Sequence, residues 1–318
     1  MNIFVSGSLA YDRIMDFPGR FSDHILPEKI HILNVCFMVN GISEKYGGTA
    51  GNIAYSLALL GQPSKILAAV GRDFDAYEGW LSKHGLPLTG IRRVESEHTA
   101  GAYITTDLAD NQITGFNPGA MRHPSLYRFD NENPAETFAI ISPGNIEDML
   151  YFSRSYKERK IPYIFDPGQQ IPVLSKDLLI EMITGSEILI TNDYELQLIE
   201  KAVSLTRDEL LNLTRAVIVT LGENGSIVCI NHQEIKIRVA KAKQVVDPTG
   251  AGDAYRAGLI KGLVSNKDLP DAAQMGATCA SFAVECYGTQ EHYFTAQEFQ
   301  ERYQENFSQA SSHGRWPH

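Results

Sequence analysis

Residues 246–258 of this chain have the sequence VDPTGAGDAYRAG. A helix is predicted to begin inside it, because apolar residues follow at helical spacing at positions 254, 257, 259, 260 and 263. The small residues Gly250, Ala251 and Gly252 then occupy the first turn of that helix. Backbone N–H groups in a first turn lack acceptors within the helix and carry partial positive charge, and small side chains let an anion approach them. The stretch therefore predicts an anion site at a helix N-terminus.

Asp253 follows in the same predicted turn. A carboxylate does not bind an anion, because like charges repel. It can act as a general base or orient a hydroxyl group while the neighbouring N–H groups hold a phosphoryl group in transfer. Glycine and aspartate are also ordinary start signals of helices, so the spacing alone leaves a purely structural interpretation open. Arg256, one turn further, can steady Asp253 or a phosphate, or form a salt bridge with another carboxylate.

The sequence GAGD, with Asp247 three positions before it, resembles the second signature of the ribokinase-like (PfkB) sugar and nucleoside kinases. The segment YGGTAGNIA at residues 46–54 resembles the first signature of that family, a Gly-Gly turn before a helix. Residues 7–12, 192–195 and 220–225 add to a likeness that covers nearly the whole chain. The resemblance implies an α/β fold of the ribokinase-like type: three α/β/α layers, a mostly parallel central sheet and a small inserted β lid. It also implies a kinase that uses ATP and Mg²⁺ on a small-molecule alcohol substrate.

The distribution of apolar residues agrees with such a fold. Short runs rich in Val, Ile and Phe without alternation are typical of strands buried on both faces. They occur at 3–6, 66–70, 138–142, 163–166, 188–191 and 216–221, with helical patterns between them. Two segments, approximately 13–46 and 97–117, interrupt this order and are predicted to form antiparallel strands of the lid, including the apolar run 34–40. We expect one kinase domain over residues 1–308 and a flexible tail over residues 309–318.

The resemblance also implies how the acceptor binds. Asp12 would accept hydrogen bonds from two ribose hydroxyls, and the Asn52 amide would bond a third hydroxyl. The backbone at Gly47 and Gly48 would approach the sugar, which glycine permits because it lacks Cβ. Ser8 stands where adenosine kinases carry an asparagine near the ribose, and this departure leaves room for a broader nucleoside specificity.

For the phosphate donor, the resemblance implies a nucleotide site that includes Asn192, Glu195, Thr220, Gly222 and Gly225. In the family, the Asn-x-x-Glu pair organises Mg²⁺ and phosphate largely through water, so Glu195 is expected to reach Mg²⁺ through a water molecule. This suits a metal ion that gives up its hydration shell reluctantly. Taken alone, Asn-x-x-Glu is also a helix-capping pattern, and the two glycines are ordinary turn residues.

A potassium ion is a further expectation from the resemblance. In some relatives, a loop similar to residues 247–249, together with carbonyl groups near Ala283 and Gly288, holds K⁺ beside the anion site. Asp247 and Thr249 are therefore the candidate K⁺ residues. The nine histidines form no H-E-x-x-H or similar cluster, and we expect no structural zinc.

Three features resemble the adenosine kinase-like branch of the family: FNPGAM at 116–121, the proline at 248 and VECYGTQEH at 284–292. The predicted lid carries aromatic side chains, among them Phe37 and Phe116, that can stack on a purine. Such side chains can equally pack within the lid or in a dimer interface. We expect phosphorylation of the 5′-hydroxyl of adenosine to give AMP, with a kinase of another nucleoside or of a free sugar such as ribose as the alternative.

Two other classes of protein fit the sequence less well. A non-catalytic binding protein with the same fold would not need Asp253 beside an intact glycine turn. An oxidoreductase is disfavoured because Gly250-x-Gly252 lacks the third glycine of a dinucleotide fingerprint and comes late in the chain.

Composition limits the partners. The 318 residues carry a formal net charge of −10, so they offer no broad basic surface for nucleic acid. The four cysteines show no C-x-x-C spacing, residues 1–5 lack a basic signal region, and the uncharged segment 46–64 contains glycines and a proline. Its continuous apolar part is too short to span a bilayer. We therefore expect a cytoplasmic protein without membrane or nucleic-acid partners, either a monomer or a homodimer joined through the lid.

Overall fold

The computed structural model describes residues 1–26, 31–32, 34–109, 111–129 and 132–307, and the tail predicted over 309–318 lies outside them. The strands are β1 (Asn2–Ser6), β2 (Ala10–Asp16), β3 (Ile42–Gly47), β4 (Lys65–Gly71), β5 (Ile91–Val94), β6 (Ala100–Thr106), β7 (Gln112–Asn117), β8 (Thr137–Ile141), β9 (Tyr163–Phe165), β10 (Ile188–Asn192), β11 (Ala216–Thr220), β12 (Ser226–Ile230) and β13 (Gln233–Ile237). The helices are α1 (Thr49–Leu59), α2 (Asp75–Lys83), α3 (Ile146–Arg159), α4 (Lys176–Ile183), α5 (Asp193–Val203), α6 (Arg207–Leu210), α7 (Ala251–Val264), α8 (Leu269–Ala283) and α9 (Ala296–Phe307). None of the helices in these ranges is long and apolar enough to cross a membrane.

A large sheet of nine strands has the order β13-β12-β11-β10-β9-β8-β1-β4-β5. Neighbours from β11 to β5 are parallel, and β12 and β13 continue the sheet antiparallel at one edge. Alternate side chains of the strands enter two apolar clusters, one containing Val5 and Ile140 and the other Phe4 and Ile141, so helices cover both faces. The predicted fold class is confirmed. All six predicted strands are present, because runs buried on both faces give a clear signal.

A smaller sheet has the order β3-β2-β6-β7 and is built from the two segments predicted for the lid. β2 pairs antiparallel with β3, and β6 pairs antiparallel with β7. β2 and β6, however, are parallel. The expectation of antiparallel strands is therefore wrong at the centre of this sheet. The reason is that β2 and β6 both leave the large sheet in the same direction and meet side by side.

The apolar run 34–40 is not a strand, contrary to the prediction. The strand beside β2 is the more polar segment Ile42–Gly47. Within the run, the ring of Phe37 lies 4.7 Å from that of Phe17 and 5.1 Å from that of Phe21. Packing of the aromatic ring in this cluster decides the course of the run, since β propensity depends strongly on context.

The carboxyl ends of β1 and β8 lie side by side at the point where the winding of the large sheet reverses. From β1 the chain continues to β4 and β5 on one side, and from β8 it continues through β9, β10 and β11 on the other. Gly7 follows β1 here, and an added Cβ would lie 2.3 Å from Ser142 Oγ, so only glycine fits. Ligands of open parallel sheets bind at the carboxyl ends of the strands at such a point.

Candidate active site

The N-terminus of α7 opens onto a cavity of about 770 Å³ that Gly250, Ala251, Gly252 and Asp253 all line. Gly250 has a φ of 80°, a left-handed conformation that favours glycine. The N–H of Ala251 donates to the Pro248 carbonyl at 3.2 Å, so one of the three amides predicted to bind an anion already has an acceptor in the preceding turn. Gly252 and Asp253 lie in the first turn, where helix geometry supplies no acceptor. The first turn of α7 therefore faces the cavity with its N–H groups, and the binding of an anion by Gly250, Ala251 and Gly252 stays a prediction.

Asp253 combines a fixed position with a perturbed pKa. Its Oδ2 accepts a hydrogen bond from Asn52 Nδ2 at 2.8 Å. Burial raises the pKa of Asp253 to about 6; the positive charge of Arg256 and the Asn52 hydrogen bond oppose this rise, and the negative charges of Asp166 and Glu195 add to it. Such a carboxyl group is ionised at neutral pH and is a stronger base than an ordinary aspartate. The arrangement suits a general base.

Arg256 and Asp166 form a buried bidentate ion pair behind Asp253. Arg256 Nη2 donates to Asp166 Oδ1 at 2.8 Å, Nε donates to Oδ2, and both side chains are less than one tenth exposed. Arg256 Nη1 also donates to the Gly252 carbonyl at 3.0 Å. The salt-bridge interpretation of Arg256 is confirmed. The pair ties the first turn of α7 to the segment that follows β9.

The far wall of the cavity contains the residues predicted for the nucleotide. Thr220, Gly222 and Gly225 line it, and the two glycines have φ values of 56° and 86° in the turn between β11 and β12. Residues with short side chains from α8 and the segment after it line the cavity too: Ala277, Ala280, Ser281 and Val284. Because these side chains are short, they leave room for a bound molecule next to the helix tip.

Asn192 and Glu195 line the same cavity and cap α5. The N–H of Glu195 donates to Asn192 Oδ1 at 2.7 Å, and the N–H of Asn192 donates to Glu195 Oε2 at 2.8 Å. The helix-capping interpretation is thus confirmed. Burial, reinforced by the negative charge of Asp166, raises the pKa of Glu195. The capping box uses Oε2 of this carboxylate, and the contact with Mg²⁺ stays a prediction.

The residues predicted for the sugar lie where the small sheet meets α1. An added Cβ at Gly47 would lie 2.5 Å from Asp12 Oδ2, so the absence of a side chain gives the carboxylate its place. Gly48 has a φ of 88°, and an added Cβ would lie 2.6 Å from the Ser8 carbonyl oxygen. Burial raises the pKa of Asp12 to about 6, and the negative charge of Asp247 adds to the rise.

Asn52 and Ser8 already have partners within the protein. Asn52 is buried, and it donates to Asp253 while its Oδ1 accepts from Gln290 Nε2 at 3.0 Å. Ser8 Oγ accepts the N–H of Thr49 at 3.0 Å and so acts on the start of α1. Their contacts with ribose stay predictions, and the bond between Asn52 and Asp253 is a contact that the sequence analysis missed.

The two aromatic residues predicted to meet a purine differ in their surroundings. Phe37 packs on Phe17 and Phe21, so the interpretation that it stabilises the lid itself is confirmed. Phe116 on β7 is 52% exposed. Of the two, Phe116 keeps a ring face accessible to a ligand.

Asp247 holds the loop of residues 247–249, which is the candidate K⁺ site, through hydrogen bonds to its carboxylate. Asp247 Oδ1 accepts the N–H of Thr249 at 2.9 Å, and Oδ2 accepts the N–H of Gly288 at 3.1 Å. Among the residues that the structure describes, no group of three or more His, Cys, Asp or Glu side chains is placed to hold a metal ion. Potassium at Asp247 and Thr249 stays a prediction.

A comparison with known families covers most of the chain. Residues 22–295 match the profile of the pfkB family carbohydrate kinases. The chain belongs to this family. It is therefore a kinase, a phosphotransferase whose acceptor is an alcohol group.

Known relatives of this kinase agree with the assignment. The nucleoside kinase of Methanocaldococcus jannaschii is 35% identical over 266 residues, which cover 83% of this chain and 87% of that protein. The crystal structure of the nucleoside kinase of that organism, an archaeal member of the ribokinase family, superimposes with a TM-score of 0.86 at 33% identity over 96% of this chain and 99% of that one. The Burkholderia thailandensis nucleoside kinase in complex with inosine gives a TM-score of 0.83 at 32% identity, covering 96% and 98% of the two chains. The ribokinase-like fold is confirmed.

Three residues connected to the candidate site escaped the sequence analysis: Asp166, Gln290 and Trp80. Asp166 is the last residue of the strand predicted over 163–166, and a polar residue at the carboxyl end of a buried strand is a signal for a site. Gln290 lies within the segment 284–292 that carried the family likeness. Trp80 gives no local signal, because its contact with Gln290 arises only from the fold.

Proposed function

We propose that this kinase transfers the γ-phosphoryl group of ATP to the 5′-hydroxyl of adenosine and releases AMP and ADP. The observation that carries the proposal is the position of Asp253, a carboxylate of raised pKa beside the first-turn amides of α7 in one cavity. The likeness to nucleoside kinases, one of them solved in complex with inosine, supports a nucleoside as acceptor. Inosine is the second substrate to test.

In the proposed reaction, Asp253 accepts the proton of the 5′-hydroxyl as its oxygen attacks the γ-phosphorus, and the bond from that phosphorus to the bridging oxygen of ADP breaks. Asn52 holds Oδ2, which leaves Oδ1 to take the proton. The tip formed by Gly250, Ala251 and Gly252 stabilises negative charge on the transferring phosphoryl group. Positioning and electrostatics of this kind supply most of the catalysis in phosphoryl transfer.

The donor site fits ATP through the short side chains of its walls and the N-terminus of α7 at one end. Mg²⁺, when bound, supplies charge neutralisation at the β- and γ-phosphates. The residues present fit such an ion, because the Glu195 carboxylate lines the cavity and Mg²⁺ commonly rests on one or two carboxylates, waters and the phosphates themselves. Glu195 would hold it through water, next to Asn192. K⁺ at Asp247 and Thr249 belongs to the same proposal and is tested by replacing K⁺ with choline.

On the acceptor side, Asp12 accepts hydrogen bonds from the ribose, the backbone of Gly47 and Gly48 lies against it, and Phe116 contacts the base. The small sheet acts as a lid that excludes water, so that ATP is not hydrolysed. A monomer and a homodimer joined through this sheet remain the two predicted assemblies, which sedimentation velocity distinguishes.

The proposal is tested with a panel of acceptors, namely adenosine, inosine, cytidine and ribose, with ADP formation as the readout. Asp253→Asn should bind adenosine with unchanged affinity by calorimetry and lose about 10²–10⁴-fold in kcat. Asp177→Asn, an exposed aspartate in the first turn of α4, serves as the matched control and should keep full turnover. Ribose as the best acceptor would refute the nucleoside assignment, and wild-type turnover of Asp253→Asn would refute the role of the base.

A further inference from the structure

A chain of three hydrogen bonds connects Trp80 on α2 with Asp253. Trp80 Nε1 donates to Gln290 Oε1 at 2.9 Å, Gln290 Nε2 donates to Asn52 Oδ1 at 3.0 Å, and Asn52 Nδ2 donates to Asp253 Oδ2 at 2.8 Å. Gln290 and Asn52 are only 2% and 4% exposed. The four residues come from α2, the segment between α8 and α9, α1 and α7, so only the folded chain brings them together.

The direction of every bond in this chain is fixed by Trp80. An indole N–H can only donate, so the Gln290 atom that faces it must be the carbonyl oxygen. The Gln290 NH₂ group then faces Asn52, which must turn its own oxygen toward Gln290 and its NH₂ group toward Asp253. A second contact agrees: Tyr77 donates its hydroxyl proton to the Gly47 carbonyl at 2.8 Å and accepts from Gln290 Nε2 at 2.5 Å.

The orientation of the Asn52 amide matters for the carboxylate. If the amide were reversed, its oxygen would face Asp253 Oδ2, and two acceptors without a hydrogen between them repel each other. In the observed orientation, the Asn52 N–H occupies Oδ2 and leaves the other oxygen of the carboxylate for the acceptor hydroxyl. The orientation of the Asn52 amide thus decides which oxygen of Asp253 is left for the substrate.

The segment that carries Gln290 is anchored on both sides of that residue. The Gly288 N–H donates to Asp247 Oδ2, and Thr289 Oγ1 donates to the Tyr46 carbonyl at 3.0 Å. Glu291 forms an ion pair with Lys45 at 2.8 Å. Gln290 is therefore held rigidly between α1 and α2.

We propose that Gln290, with Trp80 as its anchor, is a positioning residue for Asp253: it fixes the amide of Asn52 and, through it, the orientation of the carboxylate. The inference rests on the proposed role of Asp253 as the base. It adds two residues, distant in the sequence, on which the rate of phosphoryl transfer depends.

Two substitutions at Gln290 distinguish positioning from mere packing. Gln290→Glu keeps the shape of the side chain, but an ionised carboxylate cannot donate to Asn52 and instead draws its NH₂ group away from Asp253. Gln290→Met removes the hydrogen bonds without imposing an orientation. A packing role predicts that the isosteric glutamate is the milder change, whereas positioning predicts that it is the more harmful one. Turnover of both variants is measured as a function of pH up to about 9.5, because burial raises the pKa of an introduced carboxyl group and only its ionised form is unable to donate.

We expect kcat to fall about 100-fold in Gln290→Glu and about 10-fold in Gln290→Met, with KM for ATP nearly unchanged, because a misplaced catalytic group can lower the rate by about 10². Trp80→Phe keeps one aromatic ring beside Tyr46 and Tyr55, removes the pyrrole ring with its N–H donor, and should lower kcat without unfolding the protein. Gln274→Glu places the same charge at another buried glutamine, bonded to Tyr303, and is the control. It should retain wild-type kcat.

The indole resonance of Trp80 provides a readout that does not depend on turnover. The chain has two tryptophans, so the Trp80 signal is assigned by its loss in Trp80→Phe. It should shift in both Gln290 variants and in Asp253→Asn, and stay in place in Gln274→Glu. If Gln290→Glu is milder than Gln290→Met while Asp253→Asn is inactive, the positioning role is refuted and the proposed function stands. If Gln290→Glu fails to fold, a wild-type kcat in Trp80→Phe refutes the positioning role. Turnover by Asp253→Asn at the wild-type rate would instead refute the proposed function itself.

Discussion

Replacing Asp253 with asparagine is expected to stabilise the folded chain at neutral pH while it removes turnover. Burial raises the pKa of Asp253 from 3.8 to about 6, and the opposing effects of Arg256 and Asn52 do not cancel the rise. The folded protein therefore holds this proton more tightly than the unfolded chain does. The stability that the protonated group contributes is present in full below about pH 3.8 and is lost as the pH rises through about 6.

The size of the effect follows from the two pKa values. A difference of about 2 pH units, at 1.36 kcal/mol per unit, means that the ionised carboxylate lowers the free energy of unfolding by at most about 3 kcal/mol. Asp253 is partly open to the cavity, and water there reduces the penalty, so we expect a gain of about 1–3 kcal/mol in Asp253→Asn above pH 6. The asparagine carbonyl can still accept the hydrogen bond from Asn52, so this bond is kept.

Urea titrations at about pH 7.5 and about pH 4.5 measure this gain, because the linkage leaves only about a third of it at the lower pH. The exposed-site variant Asp177→Asn should match the wild type at both values. A lower urea midpoint for Asp253→Asn than for the wild type at pH 7.5 would refute the reasoning, and so would a gain of equal size at the two pH values. The first result would mean that the charge of Asp253 stabilises the fold.

Three further predictions concern the same site. The kcat/KM for adenosine should fall about 100-fold between pH 7 and pH 5, because Asp253 and Asp12 both have pKa values of about 6 and both lose their charge. Asp12→Asn should reduce the limiting slope of the pH profile from two to one, and an unchanged slope would exclude Asp12 as one of the two titrating groups. Arg256→Met should lower the free energy of unfolding, measured in urea titrations, by about 3–5 kcal/mol, because it removes the partner of buried Asp166. Adding Asp166→Leu should restore most of the lost stability, and a single variant Arg256→Met as stable as the wild type would contradict the prediction. Gly47→Ala should raise KM for adenosine about tenfold and leave KM for ATP unchanged in initial-rate assays, because its Cβ would displace the Asp12 carboxylate that we propose as the acceptor for the ribose hydroxyls. Equal effects on both substrates would argue for general distortion.

Much of the architecture could be predicted from the sequence, because it depends on local patterns. Runs without alternation identified the buried strands, and glycines beside an aspartate identified the start of α7. The capping box of α9 is local in the same way, since Thr295 and Glu298 bond each other's backbone within four residues. In each case the physical cause and the sequence signal lie in the same short segment.

The small sheet and the lid aromatics were predicted less well, because their arrangement depends on contacts between distant segments. The apolar run 34–40 carries an extended pattern, yet packing of Phe37 on Phe17 and Phe21 determines its path. The parallel pairing of β2 with β6 depends on where two separate insertions leave the large sheet. Neither contact has a signal within the segment itself.

The difference between local patterns and contacts of distant segments also explains why a motif identifies Asp253 as the catalytic candidate but does not identify the residues bonded to it. Asp253 is recognisable from its three preceding residues, whereas Asn52 is separated from it by 201 residues and Gln290 from Asn52 by 238. A buried carboxylate that opposes folding stays ionised and correctly oriented only if donors from elsewhere hold it. Those donors need only a hydrogen-bonding group at the right place, so many residue types on many segments could serve, and no short pattern specifies them. The orientation of Asp253, the proposed base, therefore depends on the whole fold, although its chemistry can be predicted from the first turn of α7 alone.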